Sequence, residues 1–370
     1  MHYPIKIKEN DFSDLYSGTS VFSSITDYLQ KHFNNSNQIF ILVDENTKIH
    51  CLPGLQSFVP RLQNAEIIEI KSGENGKSID SAVHVWSMLS EKNADRDSVL
   101  VNLGGGAISD LGGFVAATFK RGITYMNVPT TLLAMTDAAI GGKTAINLDN
   151  IKNQIGIFAL PRAVFIYTGF LRTLDKHHLL NGIAEIMKYG LILDQGLWKK
   201  ISRMDFQKFV DEPFKDSMWD DLIKKTVLKK SDIAEKDFRD MKERKVLNFG
   251  HTFGHAFETF SMASGRNGLT HGHAVAIGMI CESHLSTLKT GLGQQDLDEI
   301  ISVISANFSL YPLSRDSYQK IFDIIKMDKK SIQGKTAFTL LKSPGNAVIN
   351  QFCTQEMMEQ SLDFYCRLIK

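Results

Sequence analysis

The sequence predicts a two-domain chain, with an α/β N-terminal domain over residues 1–174 and a mostly α-helical C-terminal domain over residues 175–370. Three observations predict it. Short β-rich runs alternate with helical patterns in the first half, as in parallel α/β units. Beyond about Asp175 those runs give way to long amphipathic stretches. A chain of 370 residues with 43% hydrophobic content also exceeds the usual size of one core. No proline-rich or low-complexity linker separates the halves, so they are expected to pack tightly around a cleft, where ligands prefer to bind.

The elements follow in order. Gln38 to Val43 (QIFILV), Ala65 to Ile70, Ser98 to Leu103 (SVLVNL), Tyr125 to Val128 and Ala163 to Tyr167 are apolar, β-rich runs and read as strands. Ser78 to Glu91 and the apolar stretch Phe114 to Phe119 have helical character. In the second half, Leu222 to Lys236, Lys245 to Ser261 and His271 to Thr290 read as long amphipathic helices.

Lys plus Arg at 42 against Asp plus Glu at 41 gives a net charge of +1, which provides no electrostatic case for nucleic acid or an anionic membrane. Any anion handling must be local. The four cysteines, Cys51, Cys281, Cys353 and Cys366, are scattered and form no CxxC pair, which suits a reducing cytoplasm. The start, MHYPIK, lacks a signal-peptide pattern, and no apolar run reaches 18 residues, so neither export nor membrane insertion is expected.

After SVLVNL comes Gly104-Gly105-Gly106-Ala107-Ile108-Ser109-Asp110, a glycine-rich strand-to-helix turn. Glycines there let the backbone approach a pyrophosphate, whose charge the free amides and the helix dipole stabilise. Two further polar loops follow strands: Asp44-Glu45-Asn46, where a ribose could bind, and Ser72-Gly73-Glu74-Asn75-Gly76-Lys77. Three such loops at successive strand ends suggest one shared nucleotide site. The pattern is not GxGxxG, so spacing does not distinguish NAD from another nucleotide.

Five of the eleven histidines fall between residues 251 and 284. On a continuous helix Arg244, Asn248, His251 and His255 would be spaced i, i+4, i+7 and i+11, along one face. His271 stands where a later helix should begin. With a carboxylate, His251 and His271 would make the His, His, Glu set of a catalytic zinc centre. The obvious carboxylate is Glu185 in GIAEIMKYG, an otherwise apolar helix where an unpaired charge would be costly, and Lys188 lies one turn further on. Cations elsewhere suit anions: a double glycine puts Lys143 on an exposed turn, and Lys120-Arg121, Lys152-Asn153, Lys229-Lys230 and Asp328-Lys329-Lys330 supply others. A substrate with both phosphate and carboxylate would need several of them together.

These residues carry a family resemblance. GGGAISDLGGFVAATFKRG, VPTTLLAMTDAAIGGKTAIN, GIAEIMKYG, LNFGHTFGHAFE, HGHAV and MDKK occur in the order found in 3-dehydroquinate synthases, within the sugar phosphate cyclases, and the resemblance spans roughly Asp44 to Lys330. It implies an NAD-binding α/β domain joined to a helical metal-binding domain, a homodimer, and zinc or cobalt at Glu185, His251 and His271. The implied substrate is 3-deoxy-arabino-heptulosonate 7-phosphate. Asp137, Lys188 and Lys230 would hold its ring hydroxyls with the metal, and His255 would shuttle protons. Lys143, Asn153, Arg244, Asn248, His255, Lys330 and Arg121 of the neighbouring subunit would bind carboxylate and phosphate. The implied NAD groups are Asp44, Asn46, Ser72, Gly73, Glu74, Lys77, the turn Gly104 to Asp110, Thr130, Thr131, Lys143, Lys152, Phe170, Leu171, Arg172 and Thr173.

The implied cycle oxidises a hydroxyl, eliminates phosphate, returns the hydride, and closes the ring by an aldol step, so NAD is regenerated each turn. Four positions depart from the family pattern: Ser109 replaces a common glycine, two alanines follow Asp137, Asp240 replaces a glutamate among the catalytic residues, and His273 stands where glutamate is frequent. The alternatives are another sugar phosphate cyclase of the valiolone or inosose type, or a metal-dependent polyol dehydrogenase. Arg244, Asn248 and His255 would be superfluous for a substrate without a carboxylate.

Overall fold

A computed structural model describes residues 2–8, 11–148, 151–211, 216–263, 268–328, 331–332 and 335–369. The chain forms two compact units, Met1–Leu179 with Phe214–Arg239, and Leu180–Pro213 with Asp240–Lys370.

The first unit is built on a seven-stranded sheet. Its strands are β1 (His2–Lys8), β2 (Asp11–Ser17), β3 (Ile39–Asp44), β4 (Glu66–Ile70), β5 (Val99–Gly104), β6 (Thr124–Pro129) and a later strand, Ala163–Ile166. Between these last two lies an antiparallel hairpin, β7 (Lys143–Leu148) with β8 (Ile151–Phe158), so Ala163–Ile166 is β9. The order across the sheet is β1-β2-β9-β6-β5-β3-β4, and every pair except β1 with β2 is parallel. Strands β3 and β5 read as near-continuous apolar runs because they are buried along most of their length, as central parallel strands are.

Helices α1 (Ile79–Glu91) and α2 (Gly106–Thr118) cover the sheet. Val85 and Leu89 of α1 and Leu111 and Val115 of α2 pack with Phe40, Leu42, Ile68 and Leu100 in one fully buried core. Each such side chain contributes about 1.5–3 kcal/mol by leaving water. Two glycines let α2 sit this close to its neighbours. A Cβ at Gly112 would lie 1.9 Å from Asn102 Oδ1 on β5, and one at Gly113 would lie 2.4 Å from Thr144 on β7. The buried Asn102 Nδ2 in turn donates to Asn127 Oδ1 on β6 at 2.9 Å.

Two long helices follow, α3 (Lys176–Leu193) and α4 (Asp216–Lys236), and α4 returns the chain to the first unit. The second unit contains α5 (His251–Ala263), α6 (His271–Lys289), α7 (Gln294–Asn307) and α8 (Gln355–Leu368). It is mostly helical. It also carries a three-stranded antiparallel sheet, β10 (Ser331–Ile332), β11 (Lys335–Ser343) and β12 (Asn346–Cys353), so the expectation that β structure ends near Asp175 is corrected. Among the described residues no helix is long and apolar enough to cross a membrane.

The single helix expected over Lys245 to Ser261 is also corrected. Glu243–Asn248 is a 3-10 helix, and Gly250 takes φ +77 before α5 begins at His251. Arg244 and Asn248 therefore do not share a helix face with His251 and His255.

Candidate functional site

In the first unit the sheet order places β4 and β5 on opposite sides of β3, so the chain reverses its direction of travel there. The C-terminal ends of strands at such a switch point are where open α/β sheets bind ligands. Asp44 ends β3, and Gly104 ends β5 with Gly105 as the N-cap of α2. The helix thus starts at Gly106 and offers its first amides, from Gly106 and Ala107 onward, at that edge. Thr130 and Thr131 lie just past the end of β6, and a Cβ on Gly105 would touch Thr131 at 3.0 Å. Ile108 is buried under the turn, as is Ser109.

The loops around this edge are tied together. Asp44 Oδ1 accepts from the Thr47 amide at 2.8 Å, capping the short helix that carries Asn46, and Glu45 Oε2 accepts from the Ser72 amide at 2.6 Å. Gly73 takes φ +73 in the same loop. Lys77 is 3% exposed, and its Nζ lies 2.5 Å from Asp110 Oδ2 while donating to Asn153 Oδ1. Burial pushes the Asp110 carboxyl upward, and the Lys77 ammonium opposes that. Asn147 donates to Glu74 Oε2 at 2.9 Å, and Lys152 Nζ is 3.9 Å from the same oxygen. Asn147 was not singled out from the sequence; its position in the GGKTAIN motif is the signal that could have found it.

Other expected residues of this unit lie on different elements. Phe170 and Leu171 are buried, and Arg172 and Thr173 exposed, in a 3-10 helix beyond β9. Lys230 on α4 is 4% exposed and sits 2.8 Å from Asp137 Oδ1, so the structure brings these two together. Lys143 begins β7 with its side chain exposed. Arg121 is exposed in a turn with φ +70 beyond the C-terminus of α2, about 20 Å along the helix from the glycine turn.

In the second unit Glu185 on α3, His251 at the start of α5 and His271 at the start of α6 each offer a ligand atom within 4.8 Å of the others. Glu185 Oε1 lies 3.5 Å from His251 Nε2 and 3.7 Å from His271 Nε2. A tetrahedral ion with bonds of about 2.0–2.1 Å holds its donors roughly 3.3–3.4 Å apart, so this set fits one. Both Glu185 oxygens are buried with no hydrogen bond of good geometry, although Lys188 Nζ sits 2.5 Å from Oε2. Lys188 thus occupies one oxygen and leaves Oε1 to the histidine side.

The imidazoles are oriented from behind. His251 Nδ1 lies 3.1 Å from the Phe249 carbonyl, to which it donates, and His271 Nδ1 donates to Glu258 Oε2 at 3.2 Å. Each bond fixes the ring so that Nε2 faces Glu185. Burial would raise the Glu185 carboxyl, but Lys188 and His271 hold it down at about 2. Burial, then the Lys188 charge, pushes His251 well below the usual histidine range. Burial also lowers His271, yet the neighbouring Glu185 and Glu258 carboxylates outweigh it and raise the group to about 10.

Asn181, one turn before Glu185, accepts from the Gly272 amide and so fixes the start of α6 on α3. Neither Asn181 nor Glu258 was anticipated. Glu258 could have been, because a carboxylate within the apolar stretch of α5 is the same signal that marked Glu185. His255 is not in the donor set, but its ring centroid lies 5.3 Å from that of His251 and 5.8 Å from that of His271. His273 Nε2 lies 2.5 Å from the Ser309 carbonyl instead. Arg244 is 1% exposed on its 3-10 helix, which Thr339 of β11 pins by donating to the Lys245 carbonyl at 2.8 Å. Asn248 is half-buried, and Asp240 takes φ +55. Lys330, with the end of the MDKK motif, lies outside the described residues.

Residues 67–181 match the sequence model for the 3-dehydroquinate synthase N-terminal region, and residues 182–331 match that for the C-terminal region. The chain is 41% identical over 329 residues to a 3-dehydroquinate synthase of Parabacteroides distasonis, covering 89% of this chain and 91% of that one. Its fold is similar to that of a 2-deoxy-scyllo-inosose synthase solved with carbaglucose-6-phosphate, NAD+ and Co2+, at a TM-score of 0.84 and 21% identity over 97% of this chain and 98% of that one. A 2-epi-5-epi-valiolone synthase from Streptomyces hygroscopicus, solved with NAD+ and Zn2+, gives a TM-score of 0.83 and 23% identity over 99% and 100% of the two chains.

Proposed function

The chain belongs to the 3-dehydroquinate synthase family, and from that premise we propose how its own residues convert 3-deoxy-arabino-heptulosonate 7-phosphate to 3-dehydroquinate and phosphate, the ring-forming step of the shikimate pathway. The cofactors are NAD and one divalent ion, zinc or cobalt. NAD supplies reversible hydride transfer, and the ion supplies Lewis acidity toward the substrate hydroxyl.

Glu185 Oε1, His251 Nε2 and His271 Nε2 would hold the ion, and that donor set is the observation that carries the reading. Lys188 neutralises the second oxygen of Glu185 and presents a cation to the ring hydroxyls. His255, beside both histidine ligands, accepts and returns the hydroxyl proton. In the first unit, the amides of Gly104 to Asp110 take the pyrophosphate, the Asp44–Asn46 and Ser72–Lys77 loops take the ribose, and Thr130, Thr131, Lys152 and Phe170 to Thr173 line the rest. Asp137 and Lys230, already paired, orient the ring hydroxyls, and Asp240 supports the catalytic set. Lys143, Asn153, Arg244, Asn248 and Lys330 bind carboxylate and phosphate.

The protein acts as a homodimer in which Arg121 reaches the partner's phosphate, consistent with its exposed position about 20 Å from its own glycine turn. The four cysteines are all free, which supports a reducing, cytoplasmic setting.

The test measures phosphate release from the heptulosonate phosphate beside a heptulose phosphate lacking the carboxylate. The acid should be turned over with strong preference. Equal turnover, or preference for the neutral sugar, would move the chain to the valiolone- or inosose-type cyclases.

A further inference from the structure

We propose that Glu282 is a positioning residue for the metal centre: its buried carboxylate locks α5 against sliding along α6 and so sets where His251 stands relative to His271. This inference rests on the metal reading above. Glu282 lies in the middle of α6 and is 0% exposed. Its Oε2 accepts from the Gly250 amide at 2.7 Å, and its Oε1 accepts from the amides of Thr252 at 2.9 Å and Phe253 at 3.1 Å. These three donors bracket His251, the first residue of α5 and a member of the donor set. A carboxylate there also suits the positive end of the α5 dipole.

The contact between α5 and α6 explains why a lock is needed. The helices meet in opposite sequence sense: Gly250 against Met279, Gly254 against Val275, and Glu258 against His271. A Cβ on Gly278 would lie 2.0 Å from the Gly250 carbonyl, and one on Gly254 would lie 3.0 Å from Val275 Cα. Glycines bring the two backbones together, and at those positions they supply no ridge of their own to fix translation along the contact. Metal ligands tolerate only about 0.5 Å of displacement. Three hydrogen bonds from one carboxylate on α6 to the first turn of α5 remove that freedom at the His251 end. The His271–Glu258 bond performs the matching task at the other end.

The experiment uses the full-length protein. Zinc affinity is measured by competition with a chromogenic chelator, the geometry of the cobalt-loaded site by its d–d absorption, and stability by urea unfolding. Glu282→Gln removes the charge and turns an amide N–H toward backbone donors. The expected result is a loss of about 10–100-fold in zinc affinity and a changed cobalt spectrum. Ile304→Ala, a cavity in α7, which carries none of the ligands, should lower stability while zinc affinity stays at the wild-type value. Should Glu282→Gln fail to fold, Glu282→Asp takes its place, keeping the charge one methylene short, with the same readings. Zinc affinity unchanged in the Glu282 variant, or lowered equally in Ile304→Ala, would reduce Glu282 to a structural cap and overturn the proposal. A wild-type protein that binds no zinc would overturn the metal reading itself, and this inference with it.

Discussion

Gly250 and Gly291 share nearly the same φ, +77 and +79, in different surroundings. That makes them a matched pair for measuring what the tight approach of α5 to α6 contributes. Placing alanine in the left-handed region costs about 1–2 kcal/mol. Stiffening of the unfolded chain returns about 0.4–1 kcal/mol of that. At Gly291 a Cβ would meet nothing within 4 Å, so Gly291→Ala should cost only about 1 kcal/mol. At Gly250 the same Cβ would lie 2.5 Å from Met279 Cγ, 3.0 Å from the Val275 carbonyl oxygen and 3.3 Å from the Met279 amide nitrogen. Met279 Cγ can move, but the two backbone atoms belong to a buried helix, so overpacking adds about 1–3 kcal/mol. Gly250→Ala should therefore destabilise by about 2–4 kcal/mol in urea unfolding and should also weaken zinc binding, since His251 is the next residue. Equal stability losses in the two variants, with zinc binding intact in both, would refute the close-contact argument.

Other consequences are testable with equal directness. Lys77→Met leaves the Asp110 carboxylate without its buried partner and should cost about 3–5 kcal/mol, with NAD affinity by calorimetry falling in parallel; unchanged NAD binding would separate this ion pair from the cofactor site. Turnover should require only catalytic NAD and show no net absorbance of NADH at steady state. Stoichiometric accumulation of NADH would favour the polyol dehydrogenase alternative. Mixing inactive Arg121→Ala and His251→Ala subunits under exchange should restore activity toward about a quarter of wild type, because mixed dimers contain one complete site. Persistent inactivity despite demonstrated exchange would place Arg121 outside the partner's site.

The strands that the sequence revealed are those it had to reveal. Strands β3, β5, β6 and β9 are buried over nearly all their length, so they must be apolar runs, while β4 at the sheet edge is buried only at Ile68 and Ile70. The β7–β8 hairpin escaped because its residues mix polar groups with exposed Ile155, Ile157 and Phe158, and the buried face of β7 holds only Thr144 and Ile146. In the second unit β11 and β12 follow a long helical stretch, and β12 is partly exposed along most of its length, so it shows no apolar run. Glu185, His251 and His271 were legible because charge in an apolar helix and clustered histidines are costly unless used. The helix-face argument that linked Arg244 and Asn248 to His251 failed at Gly250, where a single positive φ breaks a periodicity that the apolar spacing alone suggests. Glu282 was missed although it satisfies the same test as Glu185, because its partners are backbone amides that sequence spacing does not display.

The central claim is that Glu185, His251 and His271 hold one catalytic ion and that His255 stands beside it without binding it. Zinc stoichiometry of purified His271→Ala and His255→Ala, measured together with the wild type by elemental analysis, tests this most directly. The account predicts about one equivalent in the wild type and in His255→Ala, and near none in a folded His271→Ala. One full equivalent in His271→Ala, or loss of the ion from His255→Ala, would contradict it.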